Sequence, residues 1–242
     1  MRILIAAPIC EGKNYSINDW LHSVATMMRR RPKDVIDFCF GLNNSSTEYE
    51  KKLSSIELYP HGKDSKKNPI ILRLPQTEKD HNIPAIVGRS REMIREYATK
   101  MNYVWILWLD TDTIPPIDAL DELIKTGKPF ISGVYFYKHT KQVVATWCVN
   151  KAADLCTNIP IERIQEAAMK DPPAIFQIKA CGFGCVLMHH SVFKNIKFEW
   201  VLEGQSEDIR YCQRCNEAGI KIWLHPRMMC QHKSDTDYTK KG

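Results

Sequence analysis

The chain has 242 residues, 44% of them hydrophobic and 26% charged, ordinary globular usage that excludes a disordered, fibrous or collagen-like protein. Its longest unbroken apolar run, residues 103–109, is far below the roughly 18 residues that span a bilayer, and with a mean hydropathy of -0.35 no transmembrane helix is expected. The 34 Lys and Arg residues against 28 Asp and Glu give a formal charge of +6, partly in runs such as Arg29-Arg30-Arg31 that read as solvated faces or as a contact for a polyanion or an acidic membrane surface.

Nine cysteines, an odd number scattered over a chain this long, are poor material for a secreted disulfide framework. They point to a reducing, cytoplasmic setting, with a peripheral position at a membrane surface left open. The N-terminal segment reads as a buried strand rather than a leader, because Pro8 interrupts it and Glu11-Gly12-Lys13 follows at once.

In chain order, residues 2–7 form the first predicted strand, and Ile17, Trp20, Leu21, Val24, Met27 and Met28 recur at helical spacing over 17–28. Residues 35–40 make a second strand. It runs into a polar loop, 41–47, whose Ser and Thr can cap a helix over 48–55. Residues 61–68, with Lys63, Lys66 and Lys67, read as an exposed loop, and 70–74 as a third strand. Ile86, Val87, Met93, Ile94, Tyr97, Ala98 and Met101 predict a helix over 83–101 that starts after Pro84.

The run 103–109 is apolar at every position, the pattern of a strand covered on both faces. It ends abruptly in Asp110-Thr111-Asp112. A short helix over 116–125, a strand over 129–137 and its hairpin partner over 142–149 come next. Then follow a helix over 161–169, extended segments over 175–179 and 184–188, and a helix over 208–218 between Ser206 as N-cap and Gly219 as C′ residue. A last strand covers 220–224. This order specifies an α/β protein: one mixed, mostly parallel sheet with helices on both faces and ligands at the carboxyl ends of its strands.

Two carboxylates one residue apart at the mouth of a buried strand cannot both stay ionised without a compensating positive charge. A hard divalent cation, Mn²⁺ or Mg²⁺, is the natural partner, taking carboxylate oxygen and completing its shell with water and substrate phosphates. Asp110 and Asp112 therefore suit a diphosphate-bearing substrate; the plainer alternative is that one of them caps a helix beginning near Pro115 or Pro116. Cys181, Cys185, Cys212 and Cys215 could be assembled into a four-thiolate zinc site, although the second pair falls inside a predicted helix. The phosphate-binding Gly-x4-Gly-Lys-Ser/Thr loop and the Gly-x-Ser-x-Gly hydrolase elbow are both missing. A basic nucleic-acid-binding module is the non-enzymatic alternative, but Trp and Tyr lie mostly in apolar segments, so no nucleic acid partner is expected.

The segment 103–116, an apolar strand closed by Asp110-Thr111-Asp112 and followed by Pro115-Pro116, resembles the strand and Asp-x-Asp motif of nucleotide-sugar glycosyltransferases of GT-A fold, in particular the family 2-like group. Residues 88–98 are similar to that family's helix whose early Arg, here Arg91, contacts the nucleotide diphosphate. Near a helix N-terminus, such an Arg would add its charge to the helix dipole. Residues 130–137 resemble the strand after the metal motif, and 181–188 the small-residue segment beneath the donor sugar, whose glycines a tight turn would equally explain. Residues 206–219 resemble the Glu-Asp helix, and 220–233 the closing strand with its terminal His.

The resemblance implies one GT-A domain over 1–242, with a nucleotide-binding half over 1–114 and an acceptor half over 115–242. It implies an enzyme that moves a sugar from a nucleotide diphosphate sugar, of UDP or GDP type, to a hydroxyl of a glycan, lipid-linked or protein acceptor, with inversion. Asp110, Asp112 and His232, or His225 in its place, would hold Mn²⁺ or Mg²⁺. Asp208 would be the general base with Glu207 beside it, unless both simply favour the positive end of their helix. Ala7, Pro8, Glu11, Asn43, Asn44, Arg91, Asp110 and Thr111 would bind the nucleotide. Asn43 and Asn44 stand where the family usually has an Asp, so an uncharged amide would meet the base or ribose. The nearest enzymatic alternative, a sugar-phosphate nucleotidyltransferase, needs a Gly-rich first loop, whereas residues 6–11 contain no glycine.

Overall fold

The computed structural model describes residues 1–43, 46–58, 65–75, 83–137, 140, 142–150, 155–199 and 206–233. Strand and helix alternate through the first half: β1 (Arg2–Ile9), a 3-10 turn (Glu11–Ser16), α1 (Ile17–Arg30), β2 (Val35–Leu42), α2 (Thr47–Ser54), β3 (Ile70–Arg73), α3 (Ile83–Lys100) and β4 (Trp105–Leu109). The middle of the chain carries β5 (Thr113–Ile114), α4 (Ala119–Lys125), β6 (Phe130–Val134), β7 (Ala145–Asn150), β8 (Leu155–Asn158) and α5 (Ile161–Met169). Last come β9 (Phe176–Ile178), β10 (Ala180–Cys181), β11 (Cys185–His189), α6 (His190–Phe193), α7 (Glu207–Glu217), β12 (Ile222–Met229) and β13 (Gln231–His232).

Eight strands form the main sheet in the order β3-β2-β1-β4-β11-β6-β12-β9. β1, β2, β3 and β4 run parallel, β11 is antiparallel to both β4 and β6, and β12 is parallel to β6. Alternation along each strand divides the core between the two faces. On β4, Ile106 and Trp108 pack with α3 and α7 through Ile94, Ala98 and Tyr211. Leu107 and Leu109 face the other way, toward Trp20 and Val24 of α1 and Leu120 and Leu123 of α4. Helices therefore cover both faces, as the apolar run predicts, and all five residues of β4 are buried. Because β2 and β3 extend the sheet to one side of β1 and β4 lies on the other, the strand order reverses at β1/β4, where an open α/β sheet leaves a crevice at its carboxyl edge.

Several expectations need correction. The strand predicted over 103–109 begins at Trp105, because Asn102 turns the chain at φ 56° and Tyr103 N–H donates to Ala98 O at 3.0 Å. α3 already includes Pro84, which its first turn tolerates since no intrahelical partner is lost there. The hairpin of 129–137 with 142–149 reduces to a Phe136–Val143 bridge and its flanking hydrogen bonds; β7 then joins β8 and β10 in a separate three-stranded sheet. Ser206 does hold the N-cap position of α7, but its hydroxyl donates to Asp208 Oδ1 rather than accepting from the helix. Gly219 adopts φ 73°, as a C′ glycine should. Of the predicted loop 61–68, residues 61–64 lie outside the described set. No helix among the described residues is long and apolar enough to cross a membrane.

Candidate active site

A cavity of about 510 Å³ opens where β1 and β4 end. Pro8, Ile9, Ile83, Ile86 and Val87 give it an apolar wall, and Asn43 lies on the rim. Its polar floor consists of Arg91, Asp110, Thr111, Asp112 and Glu207, with Lys13 at one side. Elements from opposite ends of the chain thus bring their charged residues together at the crevice the sheet order creates.

The acidic strand end is fixed from three directions. Trp20 Nε1 donates to Leu109 O at 2.9 Å, Asp110 N–H to Gly184 O at 3.1 Å, and Lys233 N–H to Asp112 O at 2.7 Å. Beyond this turn β5 pairs with β13, His232 opposite Thr113, which brings the imidazole beside Asp112. His232 Nδ1 lies 2.7 Å from Phe136 O, an acceptor, so that nitrogen must be the donor. The other nitrogen, Nε2, faces Asp112 Oδ2 at 3.6 Å; in the neutral imidazole it presents a lone pair there. Tyr135 packs edge-on against the imidazole at 5.6 Å. His225, by contrast, is buried within reach of Glu122 of α4 and of Asp118 just before that helix, and burial lowers its pKa.

Arg91 is the hub. It is 2% exposed, its Nη2 donates to Asp110 Oδ1 at 2.7 Å and its Nε to Glu207 Oε1 at 3.3 Å. Trp108 and Phe183 lie against the guanidinium at 5.5 and 5.4 Å. Burial would lower its pKa, but the charges of Asp110, Glu207 and Asp208 outweigh this and raise it. Arg91 stands two turns into α3, not at its start, so the helix N-terminus adds nothing and the side chain alone supplies the charge.

The acids respond to the same surroundings. Asp110 keeps 32% of its side chain open, yet loss of hydration at this depth raises its pKa against the lowering by Arg91, and Asp112 adds to the rise. Glu207 is pushed by burial from 4.5 to about 7 despite Arg91. Asp208 lies off the cavity wall; its Oδ1 accepts from Ser206 Oγ and, at 2.7 Å, from Ile209 N–H. Behind burial, its charge helps raise the pKa of Tyr135 and of the 46% exposed Tyr137. Asp208 therefore belongs to the same electrostatic cluster.

Other predicted residues lie apart. Ala7 is wholly buried inside β1, packed into the core. Glu11 lies off the cavity wall, its carboxylate accepting from Ser46 N–H at 3.4 Å. Asn43 is anchored through its own N–H to Ile9 O at 3.1 Å, while Asn44 falls outside the described residues. The four cysteines of the zinc alternative divide between the faces of the sheet, Cys181, Cys212 and Cys215 on one and Cys185 on the other. No group of three or more His, Cys, Asp or Glu among the described residues could hold a metal ion by itself. In the small-residue segment, a Cβ on Gly182 would run into the Tyr135 hydroxyl and one on Gly184 would lie 2.7 Å from the Tyr135 ring. Space for a buried tyrosine is what requires glycine there.

Lys13, Tyr15 and the apolar wall on α3 escaped the sequence reading. Lys13 was open to notice, being a cation in the loop after the first strand. The outward positions Ile83 and Val87 carry no motif.

The fold and the acidic strand end together define an architecture of the GT-A type. Solved structures share it. A197 from STIV is 13% identical, with a TM-score of 0.52 over 97% of this chain and 87% of that one. S. aureus TarS 1-349 in complex with UDP-GlcNAc is 11% identical, with a TM-score of 0.59 over 100% of this chain and 61% of that one. The TarS 1-349 complex with UDP gives 12% identity and a TM-score of 0.56 over 95% of this chain and 59% of that one. The chain thus spans less than two thirds of these TarS structures. No family model and no curated protein matches its sequence.

Proposed function

We propose that the protein transfers a sugar from a nucleotide diphosphate sugar of UDP type to an acceptor hydroxyl, with a divalent metal ion and with inversion. One observation carries the reading: the buried guanidinium of Arg91, on the cavity floor, has a nitrogen, Nη1, with no hydrogen-bond partner among the described residues. An unpaired charged donor is costly to bury, and a small turn of the side chain would bring it to a diphosphate oxygen in the cavity that Arg91 lines. The likeness to TarS, solved with UDP-GlcNAc and with UDP, supports the same ligand class.

Asp112 and His232 are the residues that would hold Mn²⁺ or Mg²⁺, with Asp110 beside them. The donor set fits such an ion, because few protein ligands suffice when phosphate oxygens complete the shell, and the carbonyl of Phe136 fixes the imidazole as an outer-shell partner should. Bound there, the ion supplies charge that stabilises the departing nucleotide diphosphate.

The chain's own residues do the rest. Arg91 binds the diphosphate and takes up part of the negative charge that grows as the anomeric C–O bond breaks. Glu207 and Asp110 hold the guanidinium in place. Oδ2 of Asp208 accepts the proton of the acceptor hydroxyl as the acceptor oxygen bonds to the anomeric carbon, while Ser206 and Ile209 hold Oδ1 still. The acceptor is a glycan, lipid-linked or protein hydroxyl entering beside Tyr137. We place the reaction in a reducing compartment, the cytoplasm, in keeping with the seven free cysteines among the described residues.

Asp208→Asn tests the base. UDP affinity in the presence of Mn²⁺, read by calorimetry, should stay within about threefold, and transfer from UDP-sugar should fall by about 10²–10⁴. A normal rate removes Asp208 from the chemistry. Failure of the parent protein to bind UDP, GDP, CDP or dTDP removes the glycosyltransferase reading.

A further inference from the structure

Lys13 follows β1 in the 3-10 turn and reaches into the cavity that holds Arg91 and Asp110. Its backbone is pinned, the N–H donating to Cys10 O at 3.0 Å and the carbonyl accepting from Ser16 Oγ at 3.2 Å. Its side chain is 41% exposed and ends in an ammonium that donates to Asp112 Oδ2. The Tyr15 hydroxyl, at 3.4 Å, and His232 Nε2, at 3.6 Å, turn to that same oxygen. One oxygen of Asp112 is thus the meeting point of the Lys13 ammonium and of His232, the side chain assigned above with Asp112 to a divalent ion.

An ammonium and a dication on that one oxygen repel each other, so the ion weakens the hold of Lys13 on Asp112 and Lys13 weakens that of the ion. Whichever group leaves must find another anion. The lysine stem has four rotatable carbons and three donors at its tip, and its fixed backbone keeps it at the mouth of the cavity. Across the cavity floor Arg91 faces Asp110 and Glu207, and Lys13 faces Asp112, so an incoming diphosphate needs both cations turned toward it.

Resting on the glycosyltransferase reading, we propose that Lys13 is a phosphate-binding residue: its ammonium holds Asp112 until a divalent ion takes that oxygen, and then moves to the donor diphosphate as a second cation beside Arg91. Metal and lysine therefore compete for Asp112 but cooperate on the nucleotide. A purely structural ion pair, tying the 3-10 turn to the strand end, would behave differently.

Calorimetry on the full chain separates the two. MnCl₂ alone, then UDP with and without MnCl₂, are titrated into the parent protein, Lys13→Met and Lys13→Arg, with the thermal midpoint of each recorded. Lys13→Met should bind Mn²⁺ alone about threefold to tenfold more tightly, because a competing charge is gone, and in the presence of Mn²⁺ should bind UDP about tenfold more weakly. Lys13→Arg should restore most of the UDP affinity. Unchanged or weaker Mn²⁺ binding by Lys13→Met, or unchanged UDP binding, overturns the assignment and leaves the glycosyltransferase reading standing. A parent protein that binds neither Mn²⁺ nor UDP removes both.

Discussion

Glu207 is a carboxylate in surroundings that disfavour its charge. Its side chain is 10% exposed, and the Arg91 guanidinium, already shared with Asp110, offsets the loss of hydration only in part, so its pKa rises from 4.5 to about 7. The sign follows directly. Between these values the folded protein binds a proton that the unfolded chain has lost, so stability falls as pH rises from about 4.5 to about 7, and the penalty is complete above that. Glu207→Gln fixes the neutral form at nearly the same volume. It should leave stability unchanged at pH 4 and raise it at pH 8 by up to about 3 kcal/mol, read by urea unfolding at the two pH values. A variant less stable than the parent at pH 8 would mean that the ion pair to Arg91 outweighs burial. The parent thus gives up stability at neutral pH to keep a group that steers Arg91.

Helices α3 and α7 bring that pair together, and the closeness of their approach depends on Gly88. A Cβ there would lie 3.2 Å from Glu207 Cβ, tight for an alanine and impossible for a longer side chain unless α7 moves. Gly88 and Arg91 are three residues apart on α3 and so share a face, which means that displacement at Gly88 is felt at the guanidinium. Gly88→Ala should be nearly neutral, its gain of about 1 kcal/mol in helix propensity cancelled by crowding. Gly88→Leu should cost about 1–3 kcal/mol and weaken UDP binding in the presence of Mn²⁺, checked by thermal melts and calorimetry. Full retention of both by the leucine variant would show that the junction can yield without disturbing Arg91. α3 was legible as an amphipathic run, because it spends one face on the sheet, and α7 from Ser206 and Gly219 at its two ends. Their mutual spacing was not, since a glycine inside a helix does not announce which neighbour it admits. β7 misled for a related reason: its composition says strand, but a strand's partner is chosen by the chain around it, and here that choice is β8 and β10.

At the scale of the whole molecule, the sheet order puts β1, β4, α3, α7 and β13 around one crevice, and the sequence disclosed most of this through the doubly covered strand and the acids at its end. Asp110 and Asp112 could be named from the buried strand they close, whereas Arg91, Glu207 and His232 were reached through the resemblance of 88–98, 206–219 and 220–233 to the GT-A motifs. Lys13 was open to notice as a cation after the first strand, but its contact with Asp112, 99 residues away, was not. Ala7 and Glu11 were misplaced because adjacency to a strand end does not say which side chains turn into the cavity. Convergence on one site has a thermodynamic consequence that a set of scattered acids would not have. Asp110, Asp112 and Glu207 repel a free diphosphate, and a divalent ion at Asp112 and His232 would remove that repulsion, so nucleotide and metal must each raise the other's affinity by one common factor. UDP and Mn²⁺ together should therefore raise the thermal midpoint well beyond the sum of their separate effects. At concentrations near a hundred times the dissociation constant of the joint complex the stabilisation is about 2.7 kcal/mol, or roughly 5–10 °C for a domain of this size. Thermal melts with UDP, with MnCl₂ and with both decide the matter, and strictly additive shifts would place the metal and the nucleotide at separate, unlinked sites.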